Sequence, residues 1–141
     1  MAGIYFHIPF CKRICDYCDF YKSADLRRLG AVAEAMHREL DARRDYLRGE
    51  PLRTRYFGGG TPSLCPPELL GSLLEHTARL FDCSQVEETT LEANPDDLTP
   101  EYLAALRRLG IDRLSIGVQS FDDDCLRLLN RRHSAARAIE A

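Results

Sequence analysis

The chain has 141 residues, 45% of them hydrophobic, and its 19 lysines and arginines against 22 acidic residues leave a net charge of −3. That length suits one globular unit, and the interspersed charge argues against nucleic acid as a partner; Arg43-Arg44 and Arg131-Arg132 read as solvated helix faces rather than a phosphate-binding stripe. No run approaches the ~20 apolar residues of a transmembrane segment, and no secretory pattern opens the chain, so a cytoplasmic location is expected.

Short β-rich runs alternate with longer stretches of helical period, which predicts an α/β fold of about four βα units on a parallel sheet. Gly3 to Ile8 reads as the first strand, and Leu26, Leu29, Ala33, Met36, Leu40 and Leu47 trace one face of a long helix. Arg53 to Phe57 is the second strand. A glycine-rich loop follows, then a helix entered through Pro66-Pro67, where proline fits the first turn, carrying Leu69, Leu70, Leu73, Leu74 and Phe81.

Gln85 to Ala93 reads as the third strand. Thr99 is the expected N-cap of the next helix, with Pro100 and Glu101 in its first turn and Gly110 as its stop. Ile111 to Val118 is the fourth strand, and a leucine-rich helix runs from about Asp122 to Asn130, a residue suited to the left-handed cap. Ser134 looks like the N-cap of one more helix. Four βα units cannot close an eight-stranded barrel, so residues 1–141 are expected to be the first part of a larger barrel domain, a truncated core.

Six cysteines in such a chain favour metal or free-thiol chemistry over a disulfide framework. Cys65, Cys83 and Cys125 are scattered and show no ligand spacing. Cys11, Cys15 and Cys18 form C-x3-C-x2-C directly after a strand. Three thiolates on a compact loop can hold three irons of a 4Fe-4S cluster and leave the fourth open, as catalytic metals keep one position for substrate. A structural zinc site with His7 as fourth ligand is the alternative, although His7 belongs to the strand.

The run Tyr5-Phe6-His7-Ile8-Pro9-Phe10-Cys11 and the cysteine motif resemble the radical S-adenosylmethionine (SAM) superfamily, and within it the HemN/HemW group of oxygen-independent coproporphyrinogen III oxidases and their heme-chaperone relatives. The resemblance implies the N-terminal part of a radical SAM partial barrel whose cluster is ligated by Cys11, Cys15 and Cys18. It also implies that SAM, chelating the open iron, is cleaved reductively to methionine and a 5′-deoxyadenosyl radical, chemistry that belongs to the cofactor while the protein positions it.

The same resemblance assigns cofactor-binding roles to further residues. Gly59, Gly60 and Thr61 match the glycine motif that holds the SAM amino group; a glycine triplet alone would mean no more than a tight turn. Glu92 and Gln119 are read at the carboxyl ends of the third and fourth strands, the rim on which a βα barrel builds its site, where a carboxylate pairs with ammonium or ribose hydroxyls and a carboxamide both donates and accepts. Taken singly, they would equally serve as a strand-end salt bridge and a loop hydrogen bond.

Arg131 in Leu129-Asn130-Arg131-Arg132-His133 resembles a Leu-Gly-Arg-x-His element whose arginine contacts SAM, with Asn130 in place of glycine; otherwise it is a solvated arginine. Tyr17 lies between the last two cysteines, where the family sets an aromatic beside adenine, and Tyr5 is implied to touch SAM, with plain strand packing as the alternative. His7 reads as a supporting or substrate-side group, or as a satisfied core histidine.

Oxidases of the group carry a fourth cysteine two positions after the third, whereas here that position is Phe20. The resemblance therefore implies a heme chaperone that binds heme and passes it to hemoprotein acceptors, ahead of an oxidoreductase acting on porphyrinogen in porphyrin biosynthesis.

Overall fold

The computed structural model describes residues 2–141. Four strands, β1 (Ala2–Ile8), β2 (Leu52–Gly59), β3 (Glu88–Ala93) and β4 (Arg113–Ile116), form one parallel sheet in the order β1-β2-β3-β4. Helices α1 (Leu29–Ala42), α2 (Pro67–Leu80) and α3 (Pro100–Arg108) connect them, and α4 (Asp123–Leu128) and α5 (Ala135–Glu140) follow.

Sequential strand order decides the architecture. Each parallel connection crosses over right-handed, and when every strand lies next to its predecessor on the same side, all crossover helices fall on one face. Side chains alternate across the sheet. Phe6, Phe57 and Leu91 are therefore buried in register beneath Leu40 of α1, Leu70, Leu73 and Leu74 of α2 and Leu106 of α3, and the Phe6 and Phe57 rings stack at 4.7 Å. Each such side chain contributes about 1.5–3 kcal/mol by leaving water. The opposite face, concave in a βα barrel, carries the polar side chains of Tyr5, His7, Tyr56, Glu92, Arg113 and Ser115.

The caps read from the sequence are present: Thr99 accepts from Tyr102 N at 3.2 Å and Ser134 from Arg137 N at 3.1 Å, while Gly110 and Asn130 take the left-handed conformation at φ 76° and 56°. Asp122, read as the start of a helix, also caps it, accepting from Cys125 N at 2.8 Å.

Three elements are shorter than expected. Helix α1 stops at Ala42 instead of continuing to Leu47: successive three-residue turns, Tyr46 N to Arg43 O at 2.8 Å and Arg48 N to Asp45 O at 3.1 Å, replace the helical ladder before the chain leaves through left-handed Arg48 and Gly49. Strand β3 begins at Glu88 rather than Gln85, since a turn closed by Val86 N to Cys83 O occupies the preceding residues. Strand β4 ends at Ile116 rather than Val118: a tight bond from Val118 N to Ile116 O at 3.0 Å turns the chain away.

A polar cluster joins α1 to α2. His37 and His76 approach through their Nδ1 atoms at 2.7 Å, His76 Nε2 lies 2.8 Å from Asp41 Oδ1, and His37 Nε2 lies 3.2 Å from Ser72 Oγ. Only one proton fits between the two rings. Burial first, then the His76 and Arg79 charges, hold His37 below its ordinary value against the pull of Asp41. A histidine depressed in this way stabilises the fold fully above its unfolded value of about 6.5 and loses that contribution as pH falls from there toward the folded value. His37→Gln is expected to flatten the decline of Tm between about pH 7 and pH 5, seen by thermal melts of both proteins; superimposable profiles would contradict it.

Candidate functional site

The carboxyl ends of β2, β3 and β4 and the loops after all four strands surround a cleft of about 390 Å³ lined by Cys11, Cys15, Cys18, Tyr17, Gly59, Gly60, Thr61, Glu92, Gln119 and Arg131. Residues far apart in sequence meet here because parallel strands all end on one rim.

The cysteine loop is clipped to the glycine loop chiefly through the backbone. Gly60 N donates to Ile8 O and Thr61 N to Phe10 O, both at 2.8 Å, while Cys11 N donates to Ser23 O at 3.1 Å and closes the base of the loop. A Cβ on Gly60 would stand 2.5 Å from Phe10 O and 2.8 Å from Phe10 N, so only glycine admits this approach. Gly59, at φ 113°, lies against the His7 ring, where a Cβ would come within 2.8 Å.

The three thiols differ in setting. Cys11 is buried and accepts from Thr61 Oγ1 at 3.3 Å; Cys15, half-buried, lies 3.4 Å from Arg131 Nη1; Cys18 is half-buried, with its carbonyl held by Lys22. Burial pushes the Cys11 thiol up, an effect opposed by the Thr61 hydrogen bond and reinforced by Cys18 and Cys15. Among the described residues, no three histidine, cysteine or acidic side chains are close enough to share one metal ion. His7 bonds Tyr5 through Nδ1 at 2.9 Å rather than joining the cysteines. A cluster of several irons asks each thiolate for one iron of its own, which suits a spread set on one wall.

Glu92 lines the same cleft with both oxygens engaged. Tyr56 Oη donates to Oε1 at 2.7 Å and Gly59 N to Oε2 at 3.0 Å. Burial, then the Glu92 hydrogen bond and charge, push the Tyr56 phenol up, so it stays a donor.

Arg131 reaches across the cleft, with Nη1 3.4 Å from Tyr17 Oη and Nη2 bonded to Asn94 Oδ1 at 3.3 Å and to Gly117 O. Its Nε is buried with no partner among the described residues, an unspent donor in the wall. Asn130 Nδ2 donates to Ile14 O at 3.0 Å and docks this segment on the cysteine loop.

Gln119 lies three residues past β4, not at its end, in left-handed backbone at φ 72°. It converges with Arg131 on Gly117, where a Cβ would lie 3.4 Å from Gln119 Nε2 and 3.5 Å from Arg131 Nη2. Tyr5 is the one assigned residue outside this wall. It lies on the concave face beside Tyr56 and borders a second hollow between β1 and α1.

Cys65, Cys83 and Cys125 are free and lie apart from the cleft; Cys65 is buried, which pushes its thiol up to about 12. Sequence reasoning missed Tyr56, Asn94 and Lys22. Period-two alternation from Gly58 would have put Tyr56 on the concave face, whereas nothing local marks Lys22 as a clamp on the Cys18 carbonyl.

Comparison with known proteins gives a consistent answer. The profile of the radical SAM superfamily matches residues 5–141. The heme chaperone HemW of Lactococcus lactis is 39% identical over 97% of this chain and 35% of its own length, and HemW of Bacillus subtilis is 40% identical over 94% and 36%. A bovine mitochondrial protein named for its radical S-adenosyl methionine domain is 40% identical over 99% of this chain and 32% of its own. Among solved structures, the coproporphyrinogen III oxidase HemN of Escherichia coli superposes with a TM-score of 0.84 at 27% identity, over 96% of this chain and 33% of that one. The chain thus spans about a third of the length of these relatives.

Gly60→Ala is expected to force the two loops apart and to cost about 1–3 kcal/mol, the range for overpacking, read from urea unfolding midpoints. A midpoint within error of the native protein would show that the clip tolerates a methyl group.

Proposed function

The chain belongs to the radical SAM superfamily, and from that membership we propose that its cleft holds a 4Fe-4S cluster through Cys11, Cys15 and Cys18 together with SAM, in a heme chaperone of the HemW kind. The observation that supports the cofactor reading most is the shared wall: three thiols, the Gly59–Thr61 backbone, Glu92 and Arg131 face one cavity. A cluster with an open iron supplies, when bound, the electron that cleaves SAM.

The chain's own groups then have distinct tasks. Cys11, Cys15 and Cys18 give up their protons to bind metal. Glu92, fixed by Tyr56 and Gly59, offers a carboxylate to an ammonium or to ribose hydroxyls, and Arg131 offers donors to a carboxylate while its charge offsets that of the thiolates. Gln119 has a carboxamide for the remaining polar atoms, and Tyr17 a ring for the base and for excluding water. Tyr5, with its hydroxyl on His7, borders the site from the concave face. Free thiols also suit a reducing compartment such as the cytoplasm. Residues 1–141 would form the first part of the barrel domain.

Phe20, exposed where oxidases of the resembled group carry a further cysteine, and the identity to proteins named as heme chaperones favour heme as the ligand and hemoproteins as its acceptors. The structural likeness to an oxidase supports the second reading, oxidation of a porphyrinogen.

Two experiments decide. Cys15→Ser in the anaerobically reconstituted full-length protein is expected to abolish the broad iron-sulfur absorbance; unchanged iron content would overturn the ligand assignment. The native protein, given coproporphyrinogen III, SAM and a reductant, is expected to form no protoporphyrinogen yet to develop a Soret band with heme. Turnover without heme binding would reverse the choice.

A further inference from the structure

Below the cleft, and outside its lining, lies a buried carboxylate on which four loops meet. Asp97, in the turn after β3, is 3% exposed at its side chain. Its Oδ1 accepts from Lys12 Nζ at 2.9 Å and Arg132 Nη2 at 3.1 Å, and its Oδ2 from Ser63 Oγ at 2.8 Å. Every partner is a close sequence neighbour of a cleft residue: Lys12 follows Cys11, Ser63 lies two positions after Thr61, and Arg132 follows Arg131. Asp97 lies five positions after Glu92.

The bonds continue into the wall. Ser63 Oγ accepts from Asn94 N at 3.1 Å, and Asn94 Oδ1 in turn receives Arg131 Nη2. Arg132 also approaches Asp96, with Nε 3.7 Å from Oδ2. Two cations thus face two carboxylates, and a buried charge is tolerated only when paired and hydrogen-bonded this fully. Burial pushes the Asp97 carboxyl up, but the hydrogen bonds from Lys12, Ser63 and Arg132 outweigh it and hold the group below the ordinary value.

We propose that Asp97 is a positioning residue for the cofactor cleft, the shared acceptor that sets the cysteine loop, the glycine loop and the Arg131 segment at fixed distances from one another. It acts through Lys12, Ser63 and Arg132 and need not touch any ligand. The role rests on the cluster and SAM reading above. Its signature is weakened capture of SAM by a cluster that is still present, because the thiols lie on one loop whereas the SAM groups come from several.

The test uses the full-length reconstituted protein and three readouts: thermal melts, iron and sulfide per chain, and the change in the electron paramagnetic resonance of the reduced cluster as SAM is titrated. Asp97→Ala is expected to keep its iron but to need at least about tenfold more SAM, a loss of about 1.4 kcal/mol in binding. Asp97→Asn, which keeps the acceptor without the charge, is expected to recover part of the loss.

A native SAM titration in Asp97→Ala with full iron overturns the proposal, as does a lowered Tm with SAM response per loaded chain unchanged. Should Asp97→Ala fail to fold or load, Lys12→Met and Arg132→Gln each remove one arm. A weakened response in either supports the proposal, and native responses in both overturn it. If the native protein itself takes up no cluster, the cofactor reading falls, and this role with it.

Discussion

The contact that the site depends on is the close approach of Gly60 to the backbone of Phe10. Two parallel strands bring the ends of β1 and β2 within one ladder spacing, but loops leaving such ends normally diverge. Here two amides of the glycine loop donate to carbonyls of β1 and its loop, so the cysteine segment leaves the sheet already paired on one side. The other elements attach to that pair: Thr61 reaches Cys11, Gly59 reaches Glu92, and the Arg131 segment closes over the cysteines from the opposite end of the chain.

The polar and apolar faces of the sheet have separate duties. Phe6, Phe57 and Leu91 hold the helices and set the register, and that register places Tyr5 beside Tyr56 and Glu92 beside Ser115 on the concave side. A slip of one residue in any ladder would turn these groups inward and bury charge among leucines. The strong apolar specification of one face thus protects the chemistry of the other.

Much of this was legible in the sequence. Helix caps at Thr99 and Ser134 and the left-handed positions at Gly110 and Asn130 follow from local chemistry, and the strands from composition. The convergence of Cys11, Gly59 and Glu92 followed from the rule that parallel strands end on one rim. What stayed hidden was set by contacts between segments. The apolar period through Leu47 does not show that α1 ends at Ala42, and Gln119 reads as the end of a strand because the turn that cuts β4 short is a backbone event. The Asp97 knot joins residues 85 positions apart, with Lys12 at the far end, and no local period encodes such a pair. Tyr5 was placed by resemblance, and the fold sets it beside His7, apart from the sulfur wall.

Glu92 has one further consequence. A free glutamate samples many rotamers, and fixing it on binding costs about 0.5–1.5 kcal/mol per immobilised side chain. Here Tyr56 holds one oxygen and Gly59 the other before any ligand arrives, so that entropy was lost when the chain folded. A molecule entering the cleft meets a carboxylate that has already stopped searching, and it pays for the ordering of its own atoms alone.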